Sequence, residues 1–141
     1  NTKGISTIDL VGELIERGVK VNLTAIFKIE QLYSLKNILQ KDVSIIISVF
    51  AGRIADTGVD PIPVMINIVN EFSECDNWKV LWASTREIFN FYQAKMVGCD
   101  IITMPFDLLE KLKLKDKNLD EFSLETVKEF YDDSVEVGYV L

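Results

Sequence analysis

VSIIISVF, residues 43–50, is the stretch that decides the fold. It is a short apolar run interrupted only by Ser44 and Ser48, and such a run reads as a strand that needs cover on both faces. Working outward, VNLTAIF at 21–27, Lys79 to Ser84 and Ile101 to Phe106 have the same character, and each carries polar residues toward its end. Between them lie helical patterns. Ile8, Val11, Leu14 and Ile15 are helix-spaced and stop at Gly18; Ile29, Leu32, Leu35 and Ile38 predict an amphipathic helix; Val64, Met65, Ile68, Val69 and Phe72 predict another. A helix over Arg86 to Val97, ended by Gly98, precedes the last strand. Asp107 then reads as the cap of a short helix from Leu108, and a final helix is expected from about Ser123, with Val127, Phe130 and Tyr131 as its packing stripe.

Strand–helix alternation with short connections predicts parallel strands joined by right-handed crossovers. A doubly wound open sheet and part of an eightfold barrel both fit that order. Alternation along the strands puts Asn22 with Thr24 on one face, Ser44 with Ile46 and Ser48 on one face, and Ser84 with Trp82 and Val80. Hydroxyls and amides at these places sit poorly under helices but suit the mouth of a barrel that binds a polar substrate. The barrel is therefore the favoured architecture, with its chemistry at the strand ends.

The 141 residues are enough for one ordinary core, so a single domain over 1–141 is expected, with strand–helix units over 1–120 and a C-terminal helix over 121–141. With 15 basic and 22 acidic residues the net charge is −7, which argues against a nucleic-acid backbone as partner and requires any anionic ligand to meet a local cluster of arginine. No apolar run approaches the ~20 residues of a membrane span, so no membrane partner is expected. With no basic-then-apolar leader either, a cytoplasmic protein is expected. The chain has no histidine, which removes the commonest general base and any Ser–His or Cys–His pair. Cys75 and Cys99 are read as inert, partly buried thiols; neither a disulfide framework nor a metal site is suggested.

Four stretches, VNLTAIF at 21–27, ISVFAGRIADTGVDP at 47–61, LWASTREIFNFYQAKMVGCDIIT at 81–103 and VKEFYDDSVEVGY at 127–139, taken together and in this order, resemble the C-terminal part of the transaldolase family. The resemblance covers nearly the whole chain. It implies a parallel (β/α)8 TIM barrel of the class I aldolase type, of which this chain holds the C-terminal half: about four β/α units plus a C-terminal helix. It also implies transfer of a dihydroxyacetone unit between sugar phosphates through a lysine Schiff base, with no metal and no organic cofactor. Carried over by position, Asn22 and Thr24 match residues that contact the Schiff-base intermediate and its catalytic water, a task suited to an uncharged amide and hydroxyl. Ser48 and Phe50 match substrate-contacting residues of the next strand. Arg53, Ser84 and Arg86 match the phosphate-binding group, where two guanidinium forks and a hydroxyl would satisfy a dianion.

One departure from the family pattern bears on competence. The family's nucleophilic lysine lies in a Lys-apolar-Pro-x-Thr stretch whose tail resembles Asn1-Thr2, so the lysine is expected three residues upstream of Asn1, and the segment alone is expected to be inactive. Lys20 and Lys79 enter their strands at the wrong end, and Lys28 opens a helix. The expected partners are sugar phosphates, and either further copies in a homo-oligomer or a companion N-terminal half-barrel.

Simpler roles compete. Arg53 and Arg86 are alternatively solvated ion-pair partners of Asp56 and Glu87; Ser48 and Ser84 are alternatively small packing residues. Phe50 together with Asn22 favours a transaldolase over the related fructose-6-phosphate aldolases, which tend to carry tyrosine at the position of Phe50 and lack the asparagine. Three functions remain open: transaldolase, fructose-6-phosphate aldolase-like lyase, and a noncatalytic sugar-phosphate-binding half-barrel.

Overall fold

A computed structural model of the chain describes residues 2–38 and 43–139. Asn1, expected as the first residue of a tail that resembles the lysine motif, lies outside the described residues, as does the side chain of Ile38. Four parallel strands form one sheet in chain order: β1 (Val21–Ile26), β2 (Ile45–Val49), β3 (Trp78–Trp82) and β4 (Ile101–Ile102). Each pairs with its neighbour in sequence. A doubly wound sheet reverses its order at a switch point, whereas consecutive barrel strands do not, so the topology is consistent with part of an α/β barrel.

Register separates the two faces of the sheet. Ile45 lies opposite Trp78, Ile47 opposite Val80 and Val49 opposite Trp82. These six residues are buried and join Ile15, Leu32, Leu35, Met65, Ile68, Phe72, Ala94 and Val97 from the helical segments in one core. The other face carries Asn22, Ile46, Ser48, Lys79, Leu81 and Ile101, none of which belongs to that core. Ser48 therefore does not lie under the helices.

The helices are α1 (Ile8–Glu16), α2 (Ala51–Asp56), α3 (Ile62–Phe72), α4 (Phe89–Met96), α5 (Phe106–Glu110) and α6 (Leu119–Glu136), with a 3-10 segment over Ile29–Ile38 and another over Lys111–Leu114. α1 and α4 end where the sequence predicts, at Gly18 and Gly98, with φ of +73° and +76°. Elsewhere the boundaries differ from the sequence expectation for identifiable reasons. The 29–38 helix is 3-10, not α, because its apolar residues recur every three positions, which is the 3-10 period. β3 stops at Trp82 because Ser84 adopts φ +64°, and β4 is two residues long because Pro105 offers no N–H to extend it. α4 begins at Phe89, and the N–H groups of Arg86 and Glu87 ahead of it are taken up by the Asn90 side chain. α5 begins at Phe106, so Asp107 lies inside its first turn and does not cap it.

The chain divides into two compact units, residues 1–109 and 110–141. In the second, α6 starts before the expected Ser123, capped by Asn118 Oδ1, which accepts from the N–H groups of Asp120 (2.9 Å) and Glu121 (3.1 Å). Lys117 pairs with Glu125 and lies 4.5 Å from the centre of the Phe122 ring. No described residue of α6 is buried, so Val127, Phe130 and Tyr131, expected to be a packing stripe, are exposed.

Candidate functional site

Of the polar residues singled out in the sequence, Thr24, Ser48, Arg53, Ser84 and Arg86 lie toward or beyond the C-terminal ends of β1, β2 and β3, while Asn22 is the second residue of β1 and meets this group through Ser48. On β1, Leu23 opposes Ile47 while Ile26 opposes Val49, so Thr24 and Ala25 together face the single residue Ser48. This bulge bends the strand end and gives Ala25 a φ of +60°. Gln31 supports it from the following 3-10 segment: its Oε1 accepts from Phe27 N (2.8 Å) and Lys28 N (3.0 Å), and its Nε2 donates to Ala25 O (3.5 Å). Asn22 and Thr24 are exposed. Ser48 is only 4% exposed, and its hydroxyl donates to Asn22 Oδ1 at 2.7 Å.

β2 passes directly into α2. Phe50 N donates to Ile26 O (2.8 Å), and the Phe50 ring meets Phe27 with centroids 5.8 Å apart. The guanidinium of Arg53 lies over the same ring, 5.1 Å from its centre. At Gly52 the chain runs against the end of β3: a Cβ there would lie 1.6 Å from the Ser84 carbonyl oxygen. Only glycine permits that approach.

The loop after β3 carries Ser84 and Arg86. Thr85 Oγ1 donates to Thr103 O (2.5 Å), and Asn90 Oδ1 accepts from Arg86 N (2.9 Å) and Glu87 N (3.2 Å). Arg86 Nη2 donates to Asp56 Oδ2 at 2.5 Å, both side chains being about half exposed. Asp56 stands one helical turn after Arg53 on α2. The ion-pair alternative thus describes Arg86, with Asp56 as partner, while Arg53 rests on an aromatic ring.

Two direct contacts link the seven candidate residues: Asn22 with Ser48, and Phe50 with Arg53. Arg86 is tied to α2 through Asp56, and Ser84 through its backbone against Gly52. Sequence reading did not pick out Gln31, Gly52 or Asn90. Of these, Asn90 had a visible signal, since an amide three or four residues after a loop arginine is placed to reach back to its N–H; a buried backbone crossing such as that at Gly52 leaves none.

The arrangement offers neutral hydrogen-bonding groups on the sheet face and two guanidinium groups beyond the strand ends, which suits a hydroxylated, anionic ligand. Among the described residues no group of three or more His, Cys, Asp or Glu is placed to hold a metal ion. Burial pushes the Cys99 thiol up to about 11 and raises Cys75 as well, so neither is an activated thiolate. Lys79 is paired with Asp100 at 3.1 Å and sits near the start of β3, away from the strand's C-terminal end. No helix among the described residues is long and apolar enough to cross a membrane.

The sequence profile of the family described as Transaldolase/Fructose-6-phosphate aldolase matches residues 4–139. A probable transaldolase of Kosmotoga olearia is 34% identical over 119 residues, which is 82% of this chain and 53% of that protein. Probable transaldolases of Methanococcus maripaludis (31% identical, 79% of this chain, 52% of that protein) and Herpetosiphon aurantiacus (32%, 79% and 51%) match similarly. The chain spans about half the length of the curated relatives it matches.

Proposed function

We propose a reaction for this chain from one premise: it belongs to the transaldolase/fructose-6-phosphate aldolase family. In the whole protein these residues form later strands of a (β/α)8 barrel, and the protein is a transaldolase acting on sugar phosphates. A lysine upstream of Asn1 condenses with the ketone carbonyl of the donor, releasing water and forming an iminium ion. Removal of the proton from the β-hydroxyl and cleavage of the bond between the α and β carbons release an aldose phosphate and leave the electron pair in an enamine on lysine, which then adds to the carbonyl of an acceptor aldose phosphate, whose oxygen takes up a proton. Hydrolysis of the resulting iminium frees the product ketose.

The observation that carries this reading is the Ser48–Asn22 hydrogen bond on the sheet face outside the core. It holds the Asn22 amide by its oxygen and leaves Nδ2 as the donating end, beside the bulged Thr24. These groups orient substrate hydroxyls and a water without adding charge. Arg53, Ser84 and Arg86 hold the phosphate, with Arg86 sharing its guanidinium between Asp56 and the ligand. The protein works in the cytoplasm, and the exposed apolar residues of α6 are covered by a neighbouring copy in a homo-oligomer.

The test is borohydride reduction of the full natural chain with fructose 6-phosphate, read by intact mass. A permanent adduct is expected; its absence would leave a noncatalytic sugar-phosphate-binding barrel. Product formation that needs an acceptor aldose phosphate makes the enzyme a transferase, and release of free dihydroxyacetone without acceptor makes it an aldolase.

A further inference from the structure

Ser84 and Arg86 sit on a loop whose shape is not set by secondary structure. Ser84 has a left-handed φ of +64° although it is not glycine, and such a conformation persists only where the surroundings hold it. The holder on the helix side is Asn90, in the first turn of α4 and only 7% exposed. Its Oδ1 accepts two hydrogen bonds, from Arg86 N at 2.9 Å and Glu87 N at 3.2 Å. Its Nδ2 donates to Gln93 Oε1 at 2.8 Å, which fixes the direction of the amide. Both the oxygen and the nitrogen of this buried side chain are therefore bonded, and two of its bonds fasten the backbone from which the Arg86 guanidinium extends. The reach back from the first helical turn is that of a capping box, and here both N–H groups it holds belong to the loop that carries Arg86.

We infer that Asn90 is a positioning residue for anion binding: it holds the Arg86 backbone so that the guanidinium and the Ser84 hydroxyl are presented together. This rests on the proposed assignment of Ser84 and Arg86 as phosphate ligands. The inference makes a chemical distinction. What the loop needs from position 90 is an acceptor oxygen of the right reach, so Asn90→Asp keeps the function, with the Gln93 amide turning to donate, whereas Asn90→Ala removes it.

The experiment is titration of the full natural chain with inorganic phosphate, followed by ³¹P NMR, alongside the thermal midpoint of each variant. Asn90→Ala is expected to weaken phosphate binding about tenfold, Asn90→Asp to restore it to within about threefold, and Gln93→Met, which removes only the group that orients the amide, to weaken it about threefold. Phosphate affinity unchanged in Asn90→Ala, or equally weak in Asn90→Asp, overturns the inference even if the midpoint falls, because a purely structural cap would move stability alone. Should Asn90→Ala not fold, unchanged affinity in Gln93→Met overturns it in the same way. Arg86→Ala is run in parallel: if that variant binds phosphate normally, the phosphate assignment itself fails and takes the inference with it, whereas weak binding in Arg86→Ala beside normal binding in Asn90→Ala removes the positioning role alone.

Discussion

The hydroxyl of Ser48 on β2 donates to Oδ1 of Asn22 on β1 at 2.7 Å, although strand register places Asn22 opposite Ile46. The pair is diagonal, and it is asymmetric in burial: Ser48 is buried and Asn22 exposed. Losing either partner should therefore cost different amounts. Ser48→Ala leaves the Asn22 oxygen free to bond water and costs about 0.5–1.5 kcal/mol, whereas Asn22→Ala strands a buried hydroxyl and costs about 1–3 kcal/mol. Urea denaturation of both single variants and the double variant measures this, with a coupling of about 1 kcal/mol expected. Strictly additive losses would show that the bond contributes nothing to the folded state.

Gly52 and Ser84 meet where α2 begins and β3 ends. Because a Cβ on residue 52 would lie 1.6 Å from the Ser84 carbonyl oxygen, Gly52→Ala cannot be absorbed by a side-chain rotation; one backbone must move. A loss of about 2–3 kcal/mol is expected, together with weakened phosphate binding as the Ser84–Glu87 loop is pushed aside. A melting curve and a phosphate titration indistinguishable from those of the unchanged protein would refute the close approach.

Arg86 and Asp56 form an ion pair that is about half exposed on both sides. Such pairs contribute about 0–1 kcal/mol, so Asp56→Asn should hardly change the thermal midpoint. Its effect on ligand affinity is larger in meaning, because the carboxylate both occupies the guanidinium and repels an approaching dianion. Phosphate binding is expected to tighten by about two- to fivefold at low salt, with the gain shrinking as salt rises. Weaker binding in Asp56→Asn would instead make Asp56 a support that aims Arg86.

How far the sequence could be read follows from which forces act locally. The four strands, the one-faced α3 and the two glycine-ended helices are written in apolar spacing and in single residues such as Gly18 and Gly98, because burial and backbone freedom are decided within a few positions. The 3-10 segment is written in the spacing by threes of Ile29, Leu32 and Leu35, a spacing that marks an amphipathic helix but lies close enough to the α-helical period that a short stripe does not separate the two. The partner of Arg86 was narrower than the sequence allowed: Asp56 and Glu87 both lay in reach of an ion-pair reading, and only the fold brings α2 beside the loop after β3. The bulge at Thr24–Ala25 and the crossing at Gly52 were not legible, since each depends on how a neighbouring strand or turn arrives.

Cys99 gives the chain a testable response to alkaline pH. Its thiol donates to Val80 O at 3.0 Å beneath β3, and burial raises its pKa from 9.0 to about 11. Between those values the unfolded chain loses a proton that the folded chain keeps, so the folded state binds more protons and stability falls as pH rises. The contribution is complete below about pH 9 and is lost on passing through about pH 11, with a total on the order of 2 kcal/mol. The Cys75 thiol is also raised by its own burial, but that group is shared with a Cys99→Ala variant. The useful quantity is therefore the difference between the two proteins in urea stability at pH 8 and at pH 10.5. Cys99→Ala is expected to be less stable at pH 8, because a sulfur is removed from a packed site, and to lose less on going to pH 10.5. Parallel losses in the two proteins would show that the thiol is as free to ionise in the folded chain as in the unfolded one.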